Sequence, residues 1–273
     1  MVRLELSPQV FAILAALIEE RTGIHYRPED RELLADKAVG RLAEAGFDSF
    51  LDYYYFLRYD PAGLGEMDAL IDAIVVGETY LFREYDQLAV VVDELVMPAV
   101  ADGRRPRIWS AACATGEEPF TVAMMLQRRH ALDRVELVAS DISQRALDRA
   151  RRGALSRRAL RQLPPIDVSS CWIERSGGAL EIIPAIRDAV EWRRVNLVDE
   201  RSVAAVGTFD VILCRNVLIY FDDPTVRHVI DLLSGALVAG GALLVGVSES
   251  LLRFGTSLVS EERRGVFFYR RPA

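Results

Sequence analysis

Trp109-Ser-Ala-Ala-Cys-Ala-Thr-Gly-Glu-Glu-Pro-Phe120 reads as a strand that runs into a turn of small residues and then opens a helix, with Pro119 where a helix start tolerates a missing N–H. Such a turn lets a ligand approach the backbone, and the free N–H groups of the helix start favour an anionic group. Thr115 and Gly116 are expected to shape that pocket, with Glu117 at its lip facing a cation such as a sulfonium or an ammonium. The same string also fits an ordinary strand-to-helix turn with solvated glutamates. Only one glycine is present, so this is not the GxGxxG of dinucleotide enzymes, and a nicotinamide enzyme is disfavoured.

Outward from this stretch, short apolar runs alternate with helical segments from residue 107 onward, the signature of a parallel sheet with crossover helices. The expected strands are 107–111, 135–140, 190–195, 209–214 and 242–247, and the expected helices 118–129, 143–152 and 224–237. Residues 258–270 suggest a terminal hairpin at or near the sheet edge. Between 163 and 190 the alternation breaks. Trp172-Ile173 and Ala179-Leu-Glu-Ile-Ile183 flank Ser176-Gly-Gly178 like a hairpin, so a small β insertion is expected there.

Before residue 77 the periodicity is helical. Stripes at Phe11, Leu14, Leu17 and Ile18, at Leu34, Ala38 and Leu42, at Phe50, Leu51, Tyr54 and Leu57, and at Met67, Leu70, Ile71 and Ile74 predict a small bundle. Another helix is expected over 84–100. The reading is an all-α domain over 1–76 and an α/β domain over 77–273 that carries the 163–190 insertion.

A chain of 273 residues with 51% hydrophobic content has enough apolar material for a large core. A formal charge of −7 gives no general attraction to a phosphate backbone, so nucleic acid is a disfavoured partner. Cys113, Cys171 and Cys214 form no CxxC pair and have no histidine at metal-ligand spacing; they read as small apolar residues, and no metal is expected. The apolar stretch 11–18 is too short to span a bilayer and has no cleavage site after it. A cytoplasmic protein without a membrane anchor is expected.

Three further places can carry chemistry. Asp141 ends the second strand, where an acidic side chain commonly accepts ribose hydroxyls, although it equally suits a cap for the helix that follows. The apolar strand Phe209-Asp-Val-Ile-Leu-Cys214 delivers Arg215, Asn216 and Tyr220 to the carboxyl rim, and Asn196-Leu197 adds an amide and an apolar wall to the same edge. Arg215 also fits a structural ion pair and Tyr220 a packed aromatic. In Gly77-Glu-Thr-Tyr-Leu-Phe-Arg-Glu84, Arg83 is placed to hold a carboxylate with a forked pair of hydrogen bonds, or simply to be solvated.

Together these segments resemble the chemotaxis receptor methyltransferases of the CheR family. The matching strings are GETYLFRE, WSAACATGEEP, ASDIS, RRVNL, FDVILCRNVLIYFD and VGVSES, in the family's order and spacing over most of residues 70–250. The resemblance implies an S-adenosylmethionine-dependent methyltransferase sheet, with S-adenosylmethionine as methyl donor (S-adenosylhomocysteine as product) and a glutamate side chain of a chemoreceptor cytoplasmic domain as acceptor. It implies cofactor contacts at Gly77, Thr79, Arg83, Glu117, Asp141, Asn196, Leu197, Arg215 and Asn216, with Tyr220 beside the transferring methyl group. The family usually has Asn where this chain has Gly77, so only a backbone contact carries over there.

An ionised glutamate has an ordinary pKa of about 4.3, so it needs no general base to become a nucleophile. Holding its oxygen in line behind the methyl group is an orientation effect that supplies roughly 7–11 kcal/mol. Arg83 or Arg215 is then expected to offset carboxylate charge and Tyr220 to position the acceptor. The family's small β subdomain docks a receptor tail peptide in some members. The short loop Glu174-Arg-Ser-Gly-Gly178 here predicts recognition without that tether, by a monomer. Arg31, Lys37 and Arg41 are the helix residues that correspond to the family's basic face; a plain solvated face competes with that reading. A methyltransferase for another acceptor and a catalytically silent cofactor-binding regulator stand as alternatives.

Overall fold

A computed structural model describes residues 4–161 and 166–273. The chain divides into two compact units, residues 1–76 with 220–222, and residues 77–219 with 223–273.

The helical unit holds α1 (Pro8–Thr22), α2 (Arg31–Glu44), α3 (Phe50–Tyr59) and α4 (Gly63–Ile74). Ser7 caps α1 by accepting the Val10 N–H, and Gly23 ends it in the left-handed conformation at φ 77°, where a glycine has no Cβ penalty. The stripes on α1, α2 and α4 are buried as their spacing predicts. On α3 the buried set is Phe50, Tyr53 and Leu57; Leu51 is exposed and Tyr54 is not in the core. Tyr53 is inward because its hydroxyl has a partner: it donates to Glu66 at 2.6 Å, and Arg41 Nε donates to the same carboxylate oxygen at 3.0 Å. Lys37 Nζ donates to the Ile74 carbonyl at 2.6 Å. Two of the three basic residues considered for a docking face therefore tie α2 to α4 inside this unit.

The α/β unit begins with α5 (Tyr85–Val91), a π-helical stretch over Val92–Val96 and α6 (Met97–Ala101) in place of one regular helix over 84–100. Its sheet contains β1 (Arg107–Ala111) and β2 (Glu136–Asp141), with α7 (Glu117–Arg128) between them. After α8 (Gln144–Arg152), the strands β3 (Ala154–Leu155), β4 (Trp172–Glu174) and β5 (Leu180–Ile182) form a separate antiparallel sheet in the order β3-β5-β4. This small sheet reaches back beyond the expected 163–190, because Gly153 turns the chain after α8 and Ala154–Leu155 pairs with β5. Next come α9 (Pro184–Arg187), β6 (Val190–Arg194), α10 (Glu200–Ala204), β7 (Phe209–Cys214), α11 (Asp223–Gly235), β8 (Leu237–Val245), β9 (Val259–Arg263) and β10 (Val266–Arg270).

The main sheet runs β6-β2-β1-β7-β8-β10-β9, parallel through β8 and antiparallel for the last two strands, so the terminal hairpin forms the edge. β8 starts five residues earlier than expected, at Leu237, which pairs with Phe209 before a register shift; Gly240, at φ 72°, lets the strand bend there. β1 has β2 on one side and β7 on the other, so the strand order reverses at β1 and a crevice opens at the carboxyl ends of these strands. The apolar runs of β1, β2 and β7 are buried on both faces, as a parallel sheet requires. Cys113, Cys171 and Cys214 are free and buried, and burial pushes the Cys113 and Cys214 thiols well above the ordinary value. Among the described residues, no helix is long and apolar enough to cross a membrane.

Candidate cofactor site on the sheet rim

The turn after β1 is tightly wound. Ala112 and Ala114 adopt φ 60° and 48°, and Gly116 adopts φ 93°. A Cβ on Gly116 would sit 2.7 Å from Trp192 Cη2 and 3.0 Å from Ala150 Cβ, so only glycine fits. Asp141 braces the turn from the neighbouring strand: one carboxylate oxygen accepts the Ala114 N–H at 2.8 Å and the other the Ser143 N–H at 2.9 Å. The cap of α8 is Ser143, whose hydroxyl accepts the Ala146 N–H, rather than Asp141. The Asp141 carbonyl accepts from Val195 N at 3.1 Å, which brings the loop after β6 alongside. In that loop, the Asn196 N–H donates to the Ser202 hydroxyl, the Asn196 amide oxygen accepts from Val198 N at 3.3 Å, and Leu197 is buried. Glu117, Asp141, Asn196 and Leu197 thus stand on adjacent strand ends.

Glu117 is 5% exposed, and its carboxylate accepts the Thr115 hydroxyl at 2.6 Å. Burial pushes its pKa up, against the Thr115 hydrogen bond. A buried carboxylate in that state gains from a nearby cation.

The second half of the rim is organised by Arg215, whose side chain is 2% exposed. Its guanidinium donates to Glu118 at 2.6 Å, to Glu84 at 2.9 Å and to the Arg83 carbonyl at 3.0 Å. Burial opposes its charge, but Glu118 and Glu84 hold its pKa above the ordinary guanidinium value. Burial likewise acts upward on Glu84, yet the charge and hydrogen bond of Arg215, with help from Val247 N and Asn216, hold that carboxyl below its ordinary value. Glu118 also accepts the Ser110 hydroxyl at 2.6 Å. Arg215 Nε is buried with no hydrogen-bond partner among the described residues.

Asn216 adopts φ 58°. It is held by Glu249, which accepts the N–H groups of Asn216 at 2.7 Å, Gly246 at 2.8 Å and Ile219 at 3.3 Å. A Cβ on Gly246 would lie 2.8 Å from that carboxylate, so the close approach needs glycine there.

Arg83, Arg215 and Asn216 therefore come together, but Arg83 contributes its carbonyl to Arg215, while its own side chain, 27% exposed, donates to the Glu78 carbonyl. Gly77 is exposed and Thr79 half-buried. Tyr220 falls in the helical unit, with Ile24 and Phe221 forming a β-bridge and His25 N donating to the Tyr220 carbonyl at 2.9 Å. Glu84, Glu118 and Glu249 were not anticipated as site residues. The available signal was an acidic residue at or next to the end of each of three motif strings, GETYLFRE, WSAACATGEEP and VGVSES.

The rim residues fit S-adenosylmethionine. Asp141 is an acceptor at the end of β2, Glu117 is a buried carboxylate suited to a cation, and the orphaned Arg215 Nε is a buried donor among the rim residues. Comparison with known proteins agrees. The S-adenosylmethionine-binding domain model of CheR methyltransferases matches residues 77–263, and the family's all-alpha domain model matches residues 9–75. Chemotaxis protein methyltransferase 2 of Vibrio cholerae is 34% identical over 92% of this chain and 89% of its own length. Chemotaxis protein methyltransferase 1 of Pseudomonas aeruginosa is 32% identical over 88% and 90%, and the chemotaxis protein methyltransferase of Escherichia coli 31% over 91% and 86%. Among solved structures, the N-methyltransferase NodS of Bradyrhizobium japonicum with S-adenosylhomocysteine superposes at a TM-score of 0.41 and 15% identity, covering 87% of this chain and 99% of that one; a likeness at that level carries no argument. Two domain models in the expected order, relatives matched over nearly their whole length and a rim whose donors and acceptors suit the cofactor lead to one conclusion: the chain belongs to the CheR family of S-adenosylmethionine-dependent methyltransferases.

Proposed function

We propose that the protein esterifies glutamate side chains on the cytoplasmic domain of a chemoreceptor, acting in the cytoplasm as a monomer. The observation that carries this reading is the rim itself, where the buried Glu117 carboxylate and the buried Arg215 guanidinium sit at neighbouring strand ends, one suited to a cationic methyl donor and the other to an anionic group. An ionised carboxylate acceptor needs no general base. Bound at this rim, S-adenosylmethionine would supply a methyl group from a positively charged sulfur to the carboxylate oxygen, leaving a neutral ester and the neutral thioether S-adenosylhomocysteine.

The chain's own residues bind, orient and exclude water. Glu117 faces the cation, Asp141 takes the ribose hydroxyls, and the loop at Asn196 and Leu197 walls the base. Gly77 offers a backbone contact; Thr79 and Arg83 hold the amino-acid end of the cofactor together with Arg215 and Asn216. Tyr220 positions the acceptor, and a Tyr220→Phe variant is expected to lose about tenfold in turnover; undiminished turnover removes its hydroxyl from the reaction.

Glu117 gives a pH test. With its pKa raised by burial, its favourable contribution to stability is present below the unfolded value and is lost as pH rises. At neutral pH the ionised group costs stability until a cation offsets it. Glu117→Gln should raise the melting temperature of the cofactor-free protein by a few degrees and weaken S-adenosylmethionine binding at least tenfold, by roughly 1.5–3 kcal/mol. An unchanged affinity in calorimetry shows that Glu117 does not face the cation.

The deciding experiment is transfer of labelled methyl groups to a receptor cytoplasmic fragment, followed by mild alkali. Glutamate esters release the label and N-methyl groups keep it, so alkali-stable label overturns the reading. The five residues between the paired Glu174 and Leu180 make a short turn, which supports recognition without a tether peptide. Adding a free receptor carboxyl-terminal pentapeptide should leave the rate unchanged.

A further inference from the structure

We propose that residues 143–161 form an electrostatic docking surface for an acidic segment of the protein acceptor, a proposal that rests on the methyl-acceptor reading above. Seven arginines and one aspartate give this stretch a charge of +6, leaving −13 on the remainder of a chain whose total is −7. All seven arginines are exposed. Arg151 pairs with Asp148, and Arg161 pairs with Glu78 and lies over the Tyr80 ring at 4.5 Å. Arg152, Arg157 and Arg158 have no carboxylate within ion-pair reach among the described residues. Like charges at this density repel one another and destabilise the free protein, which an acidic partner relieves.

Placement links the surface to the site. Arg152 ends α8, the helix that Ser143 and Asp141 open at the rim. Arg157 and Arg158 stand on a single helical turn, Arg157–Leu160, whose Ala159 carbonyl accepts the Leu81 N–H at 2.9 Å. That bond pins the turn to the segment carrying Arg83 and Glu84. The Arg157 side chain runs along the β4–β5 turn, with its Cδ 3.3 Å from where a Cβ on Gly178 would stand. The unpaired charges therefore border the small sheet and continue toward the cofactor segment.

The chemistry favours a short acidic protein segment over an extended polyanion. A membrane surface or a nucleic acid would meet the −13 of the remaining chain as well as the patch, whereas a short segment engages only groups within about 8 Å at physiological salt. Residues 143–161 contain no aromatic side chain to stack on bases or to enter a bilayer interface. Esterification removes one negative charge from the acceptor, so this surface holds the unmodified acceptor more tightly than the product.

The test is binding of a chemoreceptor cytoplasmic fragment to the full chain by fluorescence anisotropy. Fragments with acceptor glutamates intact, and with those glutamates changed to glutamine, are compared across salt concentrations. The expected result is that Arg152→Glu/Arg157→Glu/Arg158→Glu weakens binding of the glutamate form roughly tenfold near 50 mM salt and flattens its salt dependence. KM for the fragment should rise by a similar factor, with kcat and S-adenosylmethionine affinity unchanged. The milder Arg→Gln triple variant should fall between the two, and a lowered melting temperature in the Glu triple leaves the Gln triple as the readout. Binding within twofold of the parent, no preference for the glutamate fragment, or association with phosphatidylglycerol vesicles in place of the fragment overturns the proposal. A fragment that binds through the patch yet accepts no base-labile methyl group leaves the surface standing and sinks the esterification reading instead.

Discussion

Arg215→Met is expected to lower the unfolding free energy of the α/β unit by about 3–5 kcal/mol, the usual consequence of removing one partner from a buried ion network. The substitution keeps much of the side-chain volume but leaves Glu84 and Glu118 facing each other's surroundings without the cation between them. On a domain of this size the melting temperature should fall by roughly 10 °C. The pH dependence separates charge from packing. In the parent protein Glu84 is held below its ordinary value of 4.5, so its contribution is present above that value and is lost as pH falls through the depressed folded value. In the variant burial, which acts upward, dominates at Glu84, and its contribution is lost as pH rises instead. The two stability curves should therefore converge below about pH 4.5. A deficit that stays constant from pH 7 to pH 4 would show that Arg215 stabilises by packing alone. Arg215→Lys should recover only part of the loss, because an ammonium cannot span Glu118, Glu84 and the Arg83 carbonyl as a planar fork does.

Glu249→Gln is the second large effect. One carboxylate accepts three backbone N–H groups, and two of them, from Asn216 and Gly246, share one oxygen. Glutamine retains one acceptor oxygen, turns an NH2 group toward a remaining N–H and removes the charge that makes these bonds strong. A loss of about 2–3 kcal/mol follows. Asn216 sits in the left-handed region at a cost of about 1 kcal/mol, and Glu249 is what holds it there. Relaxation of Asn216 should lower affinity for S-adenosylhomocysteine about tenfold, measured by calorimetry, along with the fall in stability. Unaltered affinity in a destabilised variant would limit Glu249 to a structural role.

Glu249 and Arg215 differ in how visible they were before folding is considered. Arg215 was singled out because a cation directly after an apolar strand stands at the carboxyl rim of a parallel sheet. The linear chain left both readings of it open, since the partners Glu84 and Glu118 that make it an ion-pair centre lie 131 and 97 residues away. Glu249 had only its place within VGVSES, and nothing in local spacing indicates that a carboxylate will collect N–H groups from residues 216, 219 and 246.

The buried runs of β1, β2 and β7, the glycine turn at Gly116 and the helical stripes at Leu34, Ala38 and Leu42 follow from periodicity, because a strand or helix must hide one set of side chains whatever surrounds it. Family membership was equally legible, since motif order survives in the linear chain. Long-range pairing was not. Whether Tyr54 or Tyr53 turned inward depended on Glu66 being there to accept a hydroxyl hydrogen bond, and Lys37 and Arg41 found acceptors on α4 that no local spacing indicates. Polar groups choose partners by distance in space, and their energies depend on burial that exists only once the sheet and bundle have closed. Apolar pattern is a property of neighbouring residues; the charge network of the rim is a property of the assembled fold.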